Sequence, residues 1–174
     1  MSCKEKRIWI VIFFLIFSVL TINCSKSAEQ QKKESERILC MDTFRSLLKI
    51  QSATEVGVNY QKYGELLIDA KTFVNEATLI ISDGTIKKMF NTVIEEYTDA
   101  IKIWKHKIDG SSTLNVDEDQ WNSMIKKYSI PTEKRSYGTY ADADMGMQLI
   151  WAKATTDLYS LWTLIQSPDK NKQK

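Results

Sequence analysis

The feature that most constrains the fold is a helical spacing of apolar residues that recurs along most of the chain. In four long segments, apolar side chains return every three or four residues, which places them on one face of an α-helix. These segments run from about residue 34 to 56, 60 to 81, 86 to 108 and 141 to 166. No segment shows the alternation typical of a β-strand. The pattern therefore predicts an all-α fold, with one helical domain over residues 35–167.

Turn residues between these segments predict how the helices connect. Gly57 lies where a helix C-terminus favours positive φ, and Asn59 lies where the next helix favours a capping side chain. Residues 82–84, Ser-Asp-Gly, form a second short turn. Connections this short force neighbouring helices to run antiparallel. With a short helix over residues 121–128 and a loop at 132–140, we expect an up-down bundle of four long helices plus one short helix.

The first 23 residues have the layout of a secretory signal peptide. Three basic residues near the start precede an apolar run from Ile8 to Leu20. The run is shorter than the ~20 residues that a membrane-spanning helix needs, which favours a cleaved leader. A polar stretch follows, and we expect residues 24–34 to form a flexible tether and residues 168–174 a polar tail.

The residues Leu20, Thr21, Ile22, Asn23 and Cys24 resemble the lipobox of bacterial lipoproteins. The resemblance implies that Cys24 becomes the first residue of the mature protein and carries lipid. It further implies a membrane-anchored protein of the bacterial cell envelope, on the periplasmic or outer-membrane side. Two readings stay open beside it: ordinary cleavage within residues 25–28, and a leader that remains as a signal anchor.

Charge and cysteine content exclude several classes of protein. The net charge of +2 resides in the leader, so the mature chain is neutral, which removes the usual electrostatic argument for nucleic-acid binding. Of the three cysteines, Cys3 belongs to the leader and Cys24 to the lipobox, so Cys40 has no partner for a disulfide. Helical spacing places Cys40 at the edge of an apolar face, where we expect a small core residue.

The residues that catalysis or metal binding would require are sparse. His106 is the only histidine and falls on the polar face of its helix, where we expect it to be solvated. The carboxylate pairs Glu65–Asp69 and Glu95–Asp99 are likewise expected to face water. The string Asn115, Asp117, Asp119 lacks the glycine and the glutamate of a calcium loop, and helix capping explains it better. We therefore expect no enzyme, no cofactor and no metal site.

Aromatic and basic residues near the predicted loop suggest a binding function. Tyr, Trp and Arg dominate the energetics of protein interfaces. Four residues of these types and one lysine are the candidates here: Trp121, Lys134, Arg135, Tyr137 and Tyr140. We expect these residues to form a contact surface for a protein partner, in a binding, structural or accessory protein. The alternative is a small-molecule binding protein with a pocket at the end of the bundle, under residues 129–140. The sequence leaves the oligomeric state open.

Overall fold

The computed structural model describes residues 27–167, which form five α-helices and a small antiparallel sheet. The signal peptide, Cys24 and the polar tail of residues 168–174 lie outside the described residues. The elements in chain order are α1 (Ala28–Val56), α2 (Tyr60–Ile80), α3 (Gly84–Ile108), β1 (Thr113–Asn115), α4 (Asp119–Tyr128), β2 (Thr132–Arg135), β3 (Gly138–Asp142) and α5 (Ala143–Gln166). Within this range no helix has both the length and the apolar character needed to cross a bilayer.

The sheet corrects the all-α prediction. Its strands are ordered β1-β3-β2, and Leu114 pairs with Ala141 while Glu133 pairs with Tyr140. The sequence analysis placed these residues in loops and assigned Ala141 to the last helix. The strands are only three to five residues long, and all four residues of β2 are exposed. Because neither face of β2 is buried, the alternation that signals a strand is missing there.

Helix α1 also begins earlier than the sequence analysis expected. Ser27 and Gln30 form a reciprocal capping box, in which each side chain accepts a hydrogen bond from the other residue's backbone N–H (3.2 and 3.1 Å). A Glu29–Lys33 ion pair of 2.7 Å, one turn apart, supports the first turns. The tether expected over residues 24–34 is therefore helical from Ala28 onward.

The predicted helix junctions are confirmed. Gly57 has φ +92° after the last residue of α1, and Asn59 Oδ1 accepts from the backbone N–H of Lys62 at 2.8 Å. Asp83 caps α3 through the N–H groups of residues 85 and 86. Asp142 caps α5 through the N–H of Met145. Each carboxylate or amide satisfies donors that a helix N-terminus leaves without a partner.

The four long helices enclose one apolar core. Leu47 and Ile50 of α1, Tyr63 of α2, Phe90 of α3 and Leu158 of α5 are almost fully buried within it. Cys40 is buried in the same core, as expected, and burial raises the pKa of its thiol to about 11. This thiol is therefore protonated and unreactive at neutral pH.

A second core lies between the sheet, α4, and the adjoining ends of α3 and α5. Its members include Trp121 of α4, Leu114 of β1, Ile130 after α4 and Met147 of α5. Ser129 ends α4 in the left-handed conformation, with φ 52°. This turn brings Ile130 back into the core, where it is 4% exposed. Ile130 and Ala141, which flank the segment 132–140 predicted as an irregular loop, are buried in this core and hold the two ends of the segment against it.

Candidate functional site

The β2–β3 hairpin carries four of the five predicted contact residues. Lys134 and Arg135 are exposed at the end of β2, Tyr137 in the turn is 71% exposed, and Tyr140 on β3 is half-buried. The two tyrosine rings lie 5.4 Å apart between centroids, and the Arg135 guanidinium lies 5.7 Å from the Tyr140 ring. We refer to Lys134, Arg135, Tyr137 and Tyr140 as the hairpin surface.

The turn of the hairpin keeps these rings together. Gly138 has φ +152°, and a Cβ at this position would lie 2.9 Å from the Tyr140 hydroxyl oxygen. Glycine therefore allows the Tyr140 ring to fold over the turn, where its hydroxyl donates to the carbonyl of Tyr137 at 3.3 Å. The aromatic pair and the arginine form one continuous exposed patch.

Trp121, the fifth predicted contact residue, is not part of this surface. It is 4% exposed and packs in the second core, and its indole N–H has no hydrogen-bond partner within residues 27–167. Its position near the edge of a helix face suggested exposure, but the sheet that covers this face was not predicted. The prediction of a contact role for Trp121 is therefore wrong.

His106 was expected to be solvated, but it is half-buried and holds β1 in place. Its Nε2 lies 3.0 Å from the carbonyl oxygen of Thr113, and since a carbonyl can only accept, this nitrogen carries the proton. The imidazole also packs on the Trp121 ring, with centroids 4.6 Å apart. The face of α3 that seemed polar is covered by β1 and α4.

The same error affects Asp99, which was expected to face water. Asp99 is buried, and its carboxylate accepts from Lys102 at 2.8 Å, Lys127 at 3.0 Å and the Tyr128 hydroxyl at 2.8 Å. Burial disfavours the charged form of this carboxyl, but the hydrogen bonds from its three partners outweigh that effect and lower its pKa. Asp99 therefore links α3 to α4 as a charged, fully partnered group.

Glu95, the other member of this pair, is exposed and bonded to Lys127 at 2.8 Å. The pair Glu65–Asp69 is exposed, as expected. Asn115 Oδ1 accepts from the backbone N–H of Asp117, which forms a local turn before α4. No side-chain cap is present at the start of α4, so capping does not explain the acidic string. Residues 27–167 contain no group of three metal-ligating side chains.

Glu96 is a second buried carboxylate, and it was not among the residues predicted from the sequence. It is 2% exposed, its Oε1 lies 3.5 Å from Lys153 Nζ, and its Oε2 has no hydrogen-bond partner among the described residues. Burial, together with the nearby Asp157 carboxylate, raises the pKa of Glu96 to about 7 despite Lys153. The signal was present, because Glu96 lies three residues after Val93 and four before Ala100, both of which are core positions.

Two clefts lie away from the predicted pocket. One, of about 330 Å³, is mainly apolar and lies between α1 and α5 beside Phe44, Leu48 and Trp162. The other, of about 250 Å³, lies beside Trp104 and Trp151. Neither of these clefts is lined by residues 129–140. In that segment Ile130 is buried in the second core, whereas residues 131–137 are exposed.

Comparison with known proteins does not assign the chain to a group. No protein family, no curated protein and no solved structure matches this chain.

Proposed function

We propose that the protein is a membrane-anchored lipoprotein of the bacterial cell envelope, without catalytic activity, that acts as a binding, structural or accessory component. The leader and the residues Leu20 to Cys24 support the anchor and the location. Two or three acyl chains on Cys24 would hold the protein on the periplasmic or outer-membrane side, since one chain alone binds membranes only marginally.

The observation that carries the binding role is the exposed aromatic and basic patch of the hairpin surface. Tyr137, which follows the charged edge strand β2, is 71% exposed. Its ring packs at a tilted angle against Tyr140, and the Arg135 guanidinium lies over the Tyr140 ring. An exposed ring with a fixed position loses little conformational entropy on binding, so it contributes efficiently to a protein interface. The occupant we propose is a protein partner in the envelope.

Mass spectrometry of the mature N-terminus tests the anchor. We expect a first residue Cys24 whose mass is raised by acyl chains, and loss of membrane retention in Cys24→Ser. An unmodified N-terminus at residue 25 or later would refute the lipoprotein proposal.

Site-specific photo-crosslinking tests the hairpin surface. A photoreactive amino acid replaces Tyr137 in one protein and Tyr159 in the control, because Tyr159 is a similarly exposed tyrosine (63%) on α5. We expect a discrete crosslinked product in intact cells from position 137 alone. The additional change Arg135→Ala should reduce its yield without altering the melting temperature. Equal products from both positions would contradict a specific surface.

A further inference from the structure

The cleft beside Trp104 and Trp151 has the composition of a small-molecule site. It has a volume of about 250 Å³ and lies between the α1–α2 turn, the end of α3 and the first turns of α5. Both indole rings are half-buried and line it, together with Lys107, Asp144 and Gln148. Aromatic walls with a few polar groups are typical of ligand pockets, and this volume suits a ligand of about one ring. The cleft shares no residue with the hairpin surface.

The two indoles are held in place before any ligand arrives. Trp151 Nε1–H donates to the Tyr63 hydroxyl at 3.2 Å, and Tyr63 donates in turn to the carbonyl of Tyr97 at 2.9 Å. Trp104 packs edge-to-face against Trp151 and Tyr60, each with ring centroids 5.8 Å apart. Because this network fixes the rings, a ligand that stacks on them pays little ordering entropy.

The polar groups of the cleft favour an uncharged ligand. Lys107 Nζ lies 2.5 and 2.7 Å from the two carboxylate oxygens of Asp144. The ion pair cancels its own net charge, so it attracts neither a cation nor an anion strongly. It nevertheless offers donors and acceptors at the rim, since both side chains are about half-exposed (40 and 52%). Gln148 is exposed and adds an amide, which both donates and accepts.

We infer that this cleft binds a neutral saccharide through a single sugar ring. The ring's C–H groups carry partial positive charge and pack against the negative face of an indole. Its hydroxyls donate to Asp144 and accept from Lys107 and the Gln148 amide. The inference does not depend on the lipid anchor or on the hairpin surface.

NMR of the indole N–H groups tests the inference directly. The full-length chain, in a detergent without a sugar headgroup, is titrated with glucose, galactose and N-acetylglucosamine. We expect saturable shifts of the Trp104 and Trp151 signals, with a Kd of about 1 mM or weaker, as suits a single ring in a small cleft. The Trp121 and Trp162 signals serve as internal controls and should not move.

Variants at the rim separate binding from folding. Lys107→Met and Asp144→Asn change exposed groups, and each should raise Kd by about tenfold, the effect of one lost charge-assisted hydrogen bond. Lys105→Met is the matched control, because Lys105 forms an exposed ion pair with Asp109 on the same helix end but does not line the cleft. The control should bind like wild type.

Three outcomes would overturn the inference. The first is the absence of Trp104 and Trp151 shifts with any of the sugars. The second is a response to tetramethylammonium or acetate but not to sugars, which would assign the cleft to a charged ligand. The third is equal weakening by Lys105→Met and Lys107→Met, which would show that the rim contacts do not recognise the ligand.

Discussion

Two carboxylates one turn apart on α3, Glu96 and Asp99, are buried to similar degrees but differ in their hydrogen-bond partners. Asp99 accepts hydrogen bonds from two lysines and a tyrosine. Glu96 has one lysine 3.5 Å away, a second carboxylate nearby, and one oxygen with no partner in the described part of the chain. Burial alone therefore does not decide whether a charged group stabilises a protein, since the number and sign of its partners do.

The largest expected effect is the loss of stability in Asp99→Asn. The amide keeps the shape of the side chain but removes the charge that Lys102, Lys127 and Tyr128 surround. We expect the free energy of unfolding at pH 7 to fall by about 3 kcal/mol, measured by urea denaturation. Asp69→Asn, at an exposed position on α2, is the control and should change it little. A D99N protein as stable as wild type would contradict the role assigned to Asp99.

The opposite sign is expected for Glu96→Gln. Because the pKa of Glu96 is raised from 4.5 to about 7 in the folded protein, the folded state holds this proton more tightly, and stability falls as pH rises between these values. The amide cannot ionise and escapes this loss. At pH 8 we expect E96Q to be more stable than wild type by about 3 kcal/mol, with the difference vanishing below pH 4.5.

The measurement is urea denaturation of both proteins from pH 4.5 to 8, with Glu76→Gln, an exposed residue on α2, as the control. Asp99 contributes in the opposite sense, because its lowered pKa gives stability that is lost only as pH falls through its folded pKa. A pH-independent difference between E96Q and wild type would show that ionisation of Glu96 is not the cause.

Tyr128→Phe isolates one of the bonds that Asp99 accepts. The phenylalanine keeps the ring, so the loss should be that of one hydrogen bond to a charged group, about 1 to 2 kcal/mol. Tyr159→Phe is the control, since this tyrosine is exposed on α5. Thermal unfolding monitored by circular dichroism measures both, and equal melting temperatures for the two variants would argue against the Tyr128–Asp99 bond.

The smallest effect is expected for Lys153→Met. Lys153 is 52% exposed, so its attraction to Glu96 is weakened by solvent, and the loss should be about 0.5 kcal/mol or less. The more sensitive readout is the pKa of Glu96, followed by NMR, which should rise when this nearby cation is removed. Lys62→Met, at an exposed pair on α2, should leave that pKa unchanged.

The sequence predicted the helical part of this fold well, and the reason is local. Gly57 acts through its own backbone conformation, and Asn59 and Asp142 act through bonds to residues three positions away, so their roles can be read without knowing the tertiary structure. The buried residues of α2 can also be predicted from local spacing alone. Tyr63, Leu67, Ala70, Val74 and Ala77 all lie in the core, as their spacing predicts.

The errors over His106, Asp99 and Trp121 have one common cause, which is the packing of β1 and α4 against α3 that the sequence did not predict. β1 and α4 cover a face of α3 that helical spacing alone marks as polar, so Asp99 becomes buried, His106 becomes half-buried and Trp121 acquires a core role. The pairing of Leu114 with Ala141 joins residues far apart in the chain, and no local pattern reveals it. Glu96 could have been identified from its spacing to core residues, whereas its missing partner could not.

The exposed edge strand β2 is poorly suited to pairing with a strand of another copy of the chain. Its four residues, Thr132 to Arg135, include three charged side chains and follow Pro131, which has no N–H to donate. A neighbouring copy that approached this edge would have to desolvate those charges to extend the sheet. High local concentration should therefore not drive strand-to-strand aggregation at β2. Contacts between molecules at this end of the domain should instead involve the side chains of the hairpin turn.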